Sequence, residues 1–453
     1  MMDSFPKHAP TPPPPAPVPE CEGGISRRRL LALAPLALSG AALLRAATVR
    51  AQDFRQVPLP PEAARTDPLH EFWDTLPREF PQREGLLHFN TSGLGVPPFE
   101  VLSRMQEVAL ESAMHGDPLR STHLEAARTT VARFLGAQPD EIGLMRNATE
   151  AMNVVARGLD LRGGDEILMT THEHPGGAAP WMALARERGL KLRFHEPSFE
   201  PTLDATAFWD QAGKRTRGIV VSHVLCTVGA RMPVAELARE AHRRGLWCAV
   251  DGAQAVGVLP VNVRELDADF YVASGHKWLL GPVETGFLYV RQERLSELRP
   301  RFVGSHTTDA AGYGLEELRL EPLGSARRFE YGTRSPVQAA GLAAAIEWLE
   351  AMGPAVVSAR AVALAQRFAA RAGAHPGVEV LTPASALGSV PIVTFRIPHR
   401  PHPQVVEWFQ TQMGIRVRPL GERGLNAVRA SFHLVNRTAD VDWFADGVRV
   451  LGA

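Results

Sequence analysis

Phe270-Tyr271-Val272-Ala273-Ser274-Gly275-His276-Lys277-Trp278 is a short apolar run that breaks into small residues and a lysine. Four β-favouring or small apolar residues bounded by Ser-Gly read as a buried strand, Phe270 to Ala273, with Lys277 just beyond its carboxyl end. Burial and neighbouring charge lower the pKa of an amine held there. A neutral amine is what Schiff-base formation with an aldehyde requires. Read alone the stretch is weak, because most lysines that follow strands are solvated loop residues.

The neighbouring stretches change that. The apolar run Leu246 to Val250 ends in Asp251-Gly252-Ala253-Gln254, which places a carboxylate at the carboxyl end of a second strand. Further upstream, Arg146-Asn147-Ala148-Thr149-Glu150 joins a strand, Ile142 to Met145, to a helix. The backbone N–H groups there, Ala148 among them, and the Thr149 hydroxyl form a phosphate seat at a helix N-terminus. Each feature has a plainer equivalent: Asp251 as a helix cap, Thr149 as an N-cap, Gln254 as a surface residue. Together they ask for a ligand with a phosphate, an aldehyde and a ring nitrogen.

Outward from this group, helical patterns alternate with short apolar runs. Helices are expected at Leu124 to Leu135, Glu150 to Gly158, Trp181 to Arg188 and Val234 to Arg244. Further strands are expected at Glu166 to Thr170, Leu192 to His195, Gly218 to Ser222 and Gly286 to Val290. Such alternation predicts an α/β fold with a mainly parallel sheet covered by helices, and ligands beyond the carboxyl ends of its strands. After about Glu330 the pattern becomes two helices, Val337 to Met352 and Ala355 to Gly373, then short strands at Val390 to Ile397 and Val428 to Ser431. This predicts a smaller C-terminal α+β domain. The expected division is a leader over 1–51, an N-terminal segment packing with the small domain over 52–98, a large domain over 99–329 and the small domain over 330–453.

With these motifs in order, the chain resembles the class V aminotransferase family of pyridoxal 5′-phosphate (PLP) enzymes of fold type I, which includes isopenicillin N epimerase-like proteins and cysteine desulfurases. The resemblance runs from about His88 to Asp442. It implies that Lys277 forms the Schiff base with the cofactor, that Asp251 pairs with the pyridine nitrogen and that Gln254 bonds the ring hydroxyl. Thr149, Ser274 and His276, with the Ala148 backbone, would hold the phosphate. In Thr171-His172-Glu173-His174 the family's Glu-His pair falls on Glu173-His174, making His174 the ring that stacks on the cofactor. The segment Glu330-Tyr331-Gly332-Thr333 resembles the family's inter-subunit phosphate contact, so Thr333 would reach a partner's cofactor in a homodimer. The substrate-carboxylate arginine falls on Arg429, a guanidinium suited to a planar carboxylate because it pairs bidentately and stays charged.

Two departures stand out. Cysteine desulfurases carry a nucleophilic cysteine on the loop before that arginine, whereas Gly414 to Val428 contains none, which disfavours persulfide chemistry. In Ser222-His223-Val224-Leu225-Cys226-Thr227, Cys226 stands where many relatives have an asparagine or other polar residue near the ring hydroxyl; it also reads as a small buried hydrophobe. The resemblance leaves epimerisation, β-elimination and transamination at Cα open. A non-catalytic binding protein is disfavoured, since such a protein has no need of Lys277.

The 453 residues carry 49 Lys+Arg against 49 Asp+Glu. A balanced charge supplies no bulk field for nucleic acid, which leaves small molecules or other proteins as partners, and the resemblance implies a small amino-acid-like substrate. The three cysteines, Cys21, Cys226 and Cys248, form no metal-binding or disulfide pattern, and no metal site is indicated. At the N-terminus a proline cluster (Pro10, Pro12 to Pro15, Pro17, Pro19) precedes Ser26-Arg27-Arg28-Arg29-Leu30-Leu31 and an apolar run ending at Arg45. This resembles a twin-arginine export signal with cleavage near Ala51, and about 15 apolar residues fall short of the roughly 20 needed to span a bilayer. The expectation is an extracytoplasmic, periplasmic protein that meets the membrane only during export.

Overall fold

The computed structural model describes residues 58–115, 118–198 and 205–453. The expected leader, twin-arginine pair and cleavage position, all within 1–51, lie outside the described residues.

Seven strands form the central sheet: β1 (Ile142–Met145), β2 (Glu166–Thr170), β3 (Lys191–His195), β4 (Thr216–Ser222), β5 (Trp247–Asp251), β6 (Phe270–Ser274) and β7 (Gly286–Val290). Their order is β1-β7-β6-β5-β4-β2-β3. Only β7 runs antiparallel to its neighbours, and the pairs β6–β5, β5–β4, β4–β2 and β2–β3 are parallel. Every residue of β1, β2, β5, β6 and β7 is buried. That is why these strands are continuous apolar runs rather than alternating ones.

Successive side chains along a strand enter different cores, as the period of two requires. Ile219, Val221, Cys248, Val250, Tyr271 and Ala273 join one core with Val131, Leu237 and Leu342. Those last three come from α2 (Pro118–Leu135), α5 (Val234–Arg243) and α6 (Pro336–Met352). Val220, Ala249, Phe270 and Val272 join the other core with Met152, Val155, Trp181 and Leu184. These lie on α3 (Ala148–Gly158) and α4 (Pro175–Arg188). The helix α1 (Phe99–His115) packs on α6.

A second, four-stranded sheet follows: β8 (Glu379–Val380), β9 (Ile392–Arg396), β10 (Arg418–Leu420) and β11 (Ala427–Ser431). Its order is β8-β9-β11-β10, antiparallel throughout. It shares a core with α7 (Pro354–Gly373), α8 (His402–Gln412) and α9 (Thr438–Gly452), where Phe368, Phe395, Phe432 and Phe444 cluster. Leu87–His88 pairs in parallel with Ile415–Arg416, and Asn90 bridges to Ser431. The chain is thus α/β in its main sheet and α+β beyond it, as the sequence predicts.

Some boundaries differ. The helix expected from Trp181 begins six residues earlier, at Pro175, with His174 as its N-cap accepting the Gly176 N–H through Nδ1 at 3.0 Å. Pro175-Gly176-Gly177 looks like a loop, yet proline is well suited to the first helical position. The helix expected from Glu150 begins at Ala148, capped by Asn147, whose Oδ1 accepts the Glu150 N–H at 2.9 Å. Thr149 is therefore not the N-cap. Helices α1, α8 and α9 are additions to the sequence reading.

Candidate active site

Lys277 and Asp251 follow or end adjacent parallel strands, β6 and β5. Lys277 is half-buried, and desolvation lowers its amine pKa, opposed by the Asp251 carboxylate. Asp251 is buried and accepts the Ala253 N–H at 2.9 Å. Burial raises its carboxyl, while the Lys277 charge and the Ala253 bond hold it down. The two groups therefore feel one another, an amine eased toward neutrality beside a carboxylate with no guanidinium partner.

The side chains around them fall into three groups. At the start of α3, the Ala148 N–H donates to Ser274 Oγ at 3.1 Å, which ties the helix N-terminus to the end of β6. Thr149 is exposed and lines a cavity of about 430 Å³ with Arg146, Asn147 and Tyr331. His276 has a buried Nδ1 with no hydrogen-bond partner and a pKa lowered by burial and by Lys277. Gln254 is fixed from both ends: its Nε2 donates to Ser92 O at 2.9 Å and its Oε1 accepts Trp278 Nε1–H at 2.8 Å.

Of the two histidines, His174 is the one held against this group. Burial, then the charges of Lys277, Arg418 and Arg429, lower its pKa to about 4, so the ring is neutral near pH 7. His172 turns elsewhere, with Nδ1 2.6 Å from Thr227 Oγ1 and contacts to Glu196 and Arg423. Two glycines let α4 approach: a Cβ on Gly177 would stand 3.0 Å from Asp251 Oδ2, and one on Gly176 would overlap Thr149 Oγ1.

Arg429 lies on β11, 1 % exposed, directly opposite Arg418 on β10. Its Nη1 donates to Cys226 O at 2.8 Å, while its Nε, also buried, has no partner. Burial and the like charge of Arg418 bring its pKa down to about 10, so it remains charged near pH 7. Arg418 is paired with Glu422. The Cys226 thiol is buried and pushed up by desolvation, and it lies within the fields of Arg429, Arg418 and Lys277. Thr333 is exposed and lines a different cavity, of about 240 Å³, with Arg146, Thr285 and Gly286. Its segment is fastened by Glu330, which pairs with buried Arg128 and accepts the Leu144 N–H at 2.7 Å.

Sequence reasoning missed the loop Asn90 to Gly95. Gly95 N–H donates to His276 O at 2.7 Å, and a Cβ on Gly95 would overlap the Lys277 carbonyl. Ser92 N–H donates to Ser431 Oγ at 3.0 Å, two residues beyond Arg429. The loop therefore links the lysine turn to the arginine strand. The signal available was the glycine pair in Gly93-Leu94-Gly95, which asks for close backbone approach.

The family described as aminotransferase class V matches residues 100–444. The chain belongs to that family. A probable cysteine desulfurase of Pyrococcus abyssi is 31% identical over 393 residues, 81% of this chain and 94% of the relative. An isopenicillin N epimerase of Streptomyces clavuligerus is 33% identical over 339 residues, 72% of this chain and 83% of the relative. Among solved structures, a C-DES mutant with glycine covalently linked to its PLP cofactor superposes with a TM-score of 0.76 at 26% identity, covering 82% of this chain and 98% of that one. The same enzyme, described as a cystine C–S lyase, is also solved with its product cysteine persulfide, at a TM-score of 0.74, 26% identity and coverage of 80% and 97%. This class V chain is a PLP-dependent enzyme of fold type I, and its residues fit the cofactor. A half-buried amine faces a buried carboxylate, a helix N-terminus stands over β6, and glycines keep the space beside Asp251 clear.

Proposed function

We propose that this class V enzyme acts at Cα of an amino acid or amino-acid-derived substrate, in an isopenicillin N epimerase-like reaction. The observation that carries the reading is Arg429: a fully buried guanidinium with no ion pair among the described residues, within the electrostatic reach of His174 and Lys277. Burying an unpaired charge is costly unless a partner arrives, and an α-carboxylate is the natural one.

When bound, the cofactor supplies an electron sink for charge that develops at Cα. In our reading Asp251 holds the proton on the ring nitrogen, and His174, neutral near pH 7, covers the ring. One N–H of Gln254 is bonded to Ser92, which leaves the second for the ring hydroxyl. Ala148 N, Thr149, Ser274 and His276 hold the phosphate, with Thr333 of the partner subunit completing it in a homodimer. Lys277, its amine lowered by burial, moves the Cα proton. Arg429 fixes the carboxylate, so that the Cα–H bond keeps one orientation toward Lys277.

A second reading, β-elimination, is supported by the likeness to the cystine C–S lyase, since one amine suffices to remove the Cα proton. Persulfide transfer is the reading least supported, because Gly414 to Val428 offers no cysteine. Incubation with a panel of L- and D-amino acids separates the outcomes. Enantiomer exchange with solvent deuterium at Cα supports epimerisation; pyruvate with ammonia or thiol transfers support to elimination; a 2-oxo acid that keeps the side chain means transamination. We also propose the domain division at 99–329 and 330–453, and export through the twin-arginine signal within 1–51.

A further inference from the structure

Three adjacent parallel strands carry polar side chains to one buried place. β2 ends in Thr170, β4 in Ser222 and β5 in Asp251, with Ser222 directly opposite Asp251 in the register. A second carboxyl folds back into the same place from the turn after β2. Glu173 accepts a hydroxyl bond from Thr170 Oγ1 at 2.6 Å on one oxygen and from Ser222 Oγ at 2.6 Å on the other. Among the described residues Glu173 forms no salt bridge, and its bonds from Ser222 and Thr170 hold the carboxyl down against burial. Among the described residues Asp251 has no guanidinium partner; it accepts the Ala253 N–H and lies in the field of Lys277. Two carboxyls crowded together, Asp251 buried and Glu173 half-buried, do not both ionise fully near neutral pH.

We propose that Glu173 is a positioning residue that holds the single proton of the Glu173–Asp251 pair, so that Asp251 remains the ionised member offered to the cofactor's ring nitrogen. The proposal rests on the reading of Asp251 as the ring-nitrogen partner. Asymmetry between the two surroundings decides which carboxyl keeps the proton. Lys277 stabilises the charged form of Asp251, whereas the side chains bonded to Glu173 are the neutral hydroxyls of Thr170 and Ser222. Burial raises Glu173 from 4.5 to about 7, against the Ser222 and Thr170 bonds that lower it and with the Asp251 charge adding to the rise. The other titratable groups nearby are His174, neutral at the start of α4, and His172, turned toward Thr227, Glu196 and Arg423.

The sign of the pH effect follows. A carboxyl raised in the folded state contributes stability that is present below about 4.5 and lost as pH climbs through about 7. Glu173→Gln fixes the neutral state and removes that loss. In cofactor-free protein, the folding equilibrium of Glu173→Gln relative to wild type should rise about 100-fold from about pH 5 to about pH 8. The infrared C=O stretch of a protonated carboxyl should be present in wild type at about pH 6, fade by about pH 8.5 and be absent from Glu173→Gln. Asp251→Asn, which removes the like charge, should move the fading to lower pH. In the holoenzyme, the cofactor absorbance of wild type should step across the same range and that of Glu173→Gln should not. If Glu173→Gln does not fold, Ser222→Ala serves: losing a donor to the carboxylate moves the fading to higher pH. A band that persists in Glu173→Gln, is missing from wild type at about pH 6, or stays in place in Asp251→Asn overturns the proposal. Full turnover by Asp251→Asn with the titrations as expected would instead overturn the ring-nitrogen reading and leave the shared proton standing.

Discussion

At the residue scale, the proposed reading separates two jobs, electron withdrawal at Asp251 and carboxylate capture at Arg429, and each predicts a different failure. Asp251→Asn should keep the cofactor but slow Cα proton exchange by about 100-fold or more, since no carboxylate holds the ring nitrogen protonated. Exchange within a few-fold of wild type would remove Asp251 from that role. Arg429→Lys should leave the cofactor's absorbance unchanged and weaken α-carboxylate substrates by about 10- to 100-fold, because one ammonium cannot reproduce a two-pronged pair. An unaltered substrate titration would shift the carboxylate site to Arg418, which stands directly across the strand pair. Cys226 belongs to this scale too. It is a buried thiol, as one sequence reading had it, and it also sits within the fields of both arginines.

At the element scale, the strands were legible because burial on both faces demands continuous apolar runs, and β1, β2, β5, β6 and β7 are such runs. Lys277, Asp251 and Ala148 could be read as a group for the same reason: each follows or ends one of those strands. The start of α4 was not legible. Its Pro175-Gly176-Gly177 carries loop chemistry, and its glycines answer to Thr149 and Asp251, residues elsewhere in the chain that a Cβ there would crowd. The loop Asn90 to Gly95 escaped for the same reason, since its partners His276, Lys277, Gln254 and Ser431 lie far along the chain. Gly95→Ala tests that loop. Its Cβ would overlap the Lys277 carbonyl, so the backbone must part there, and a loss of about 1–3 kcal/mol with weakened cofactor attachment is expected. Gly324→Ala, with open space around it, should behave as wild type in calorimetry. Equal melting temperatures for Gly95→Ala and Gly324→Ala would mean that the loop does not brace the lysine turn.

At the scale of the whole molecule, one claim joins folding to place. Among the described residues, no single helix is long and apolar enough to cross a membrane. By the twin-arginine reading, a chain that folds around its cofactor before transport gains stability from that ligand. Arg27→Lys with Arg28→Lys should leave unprocessed yellow protein inside the cell, whereas wild type should begin near Gln52 outside the inner membrane; continued export of the double variant would refute the signal. The central claim is that the cofactor is held by one lysine. The most direct test is borohydride reduction of the purified holoenzyme followed by peptide mapping. The account predicts one phosphopyridoxyl group per chain, on Lys277 in Ser274-Gly275-His276-Lys277-Trp278, and a label on any other lysine, or protein that takes up no cofactor, would contradict it.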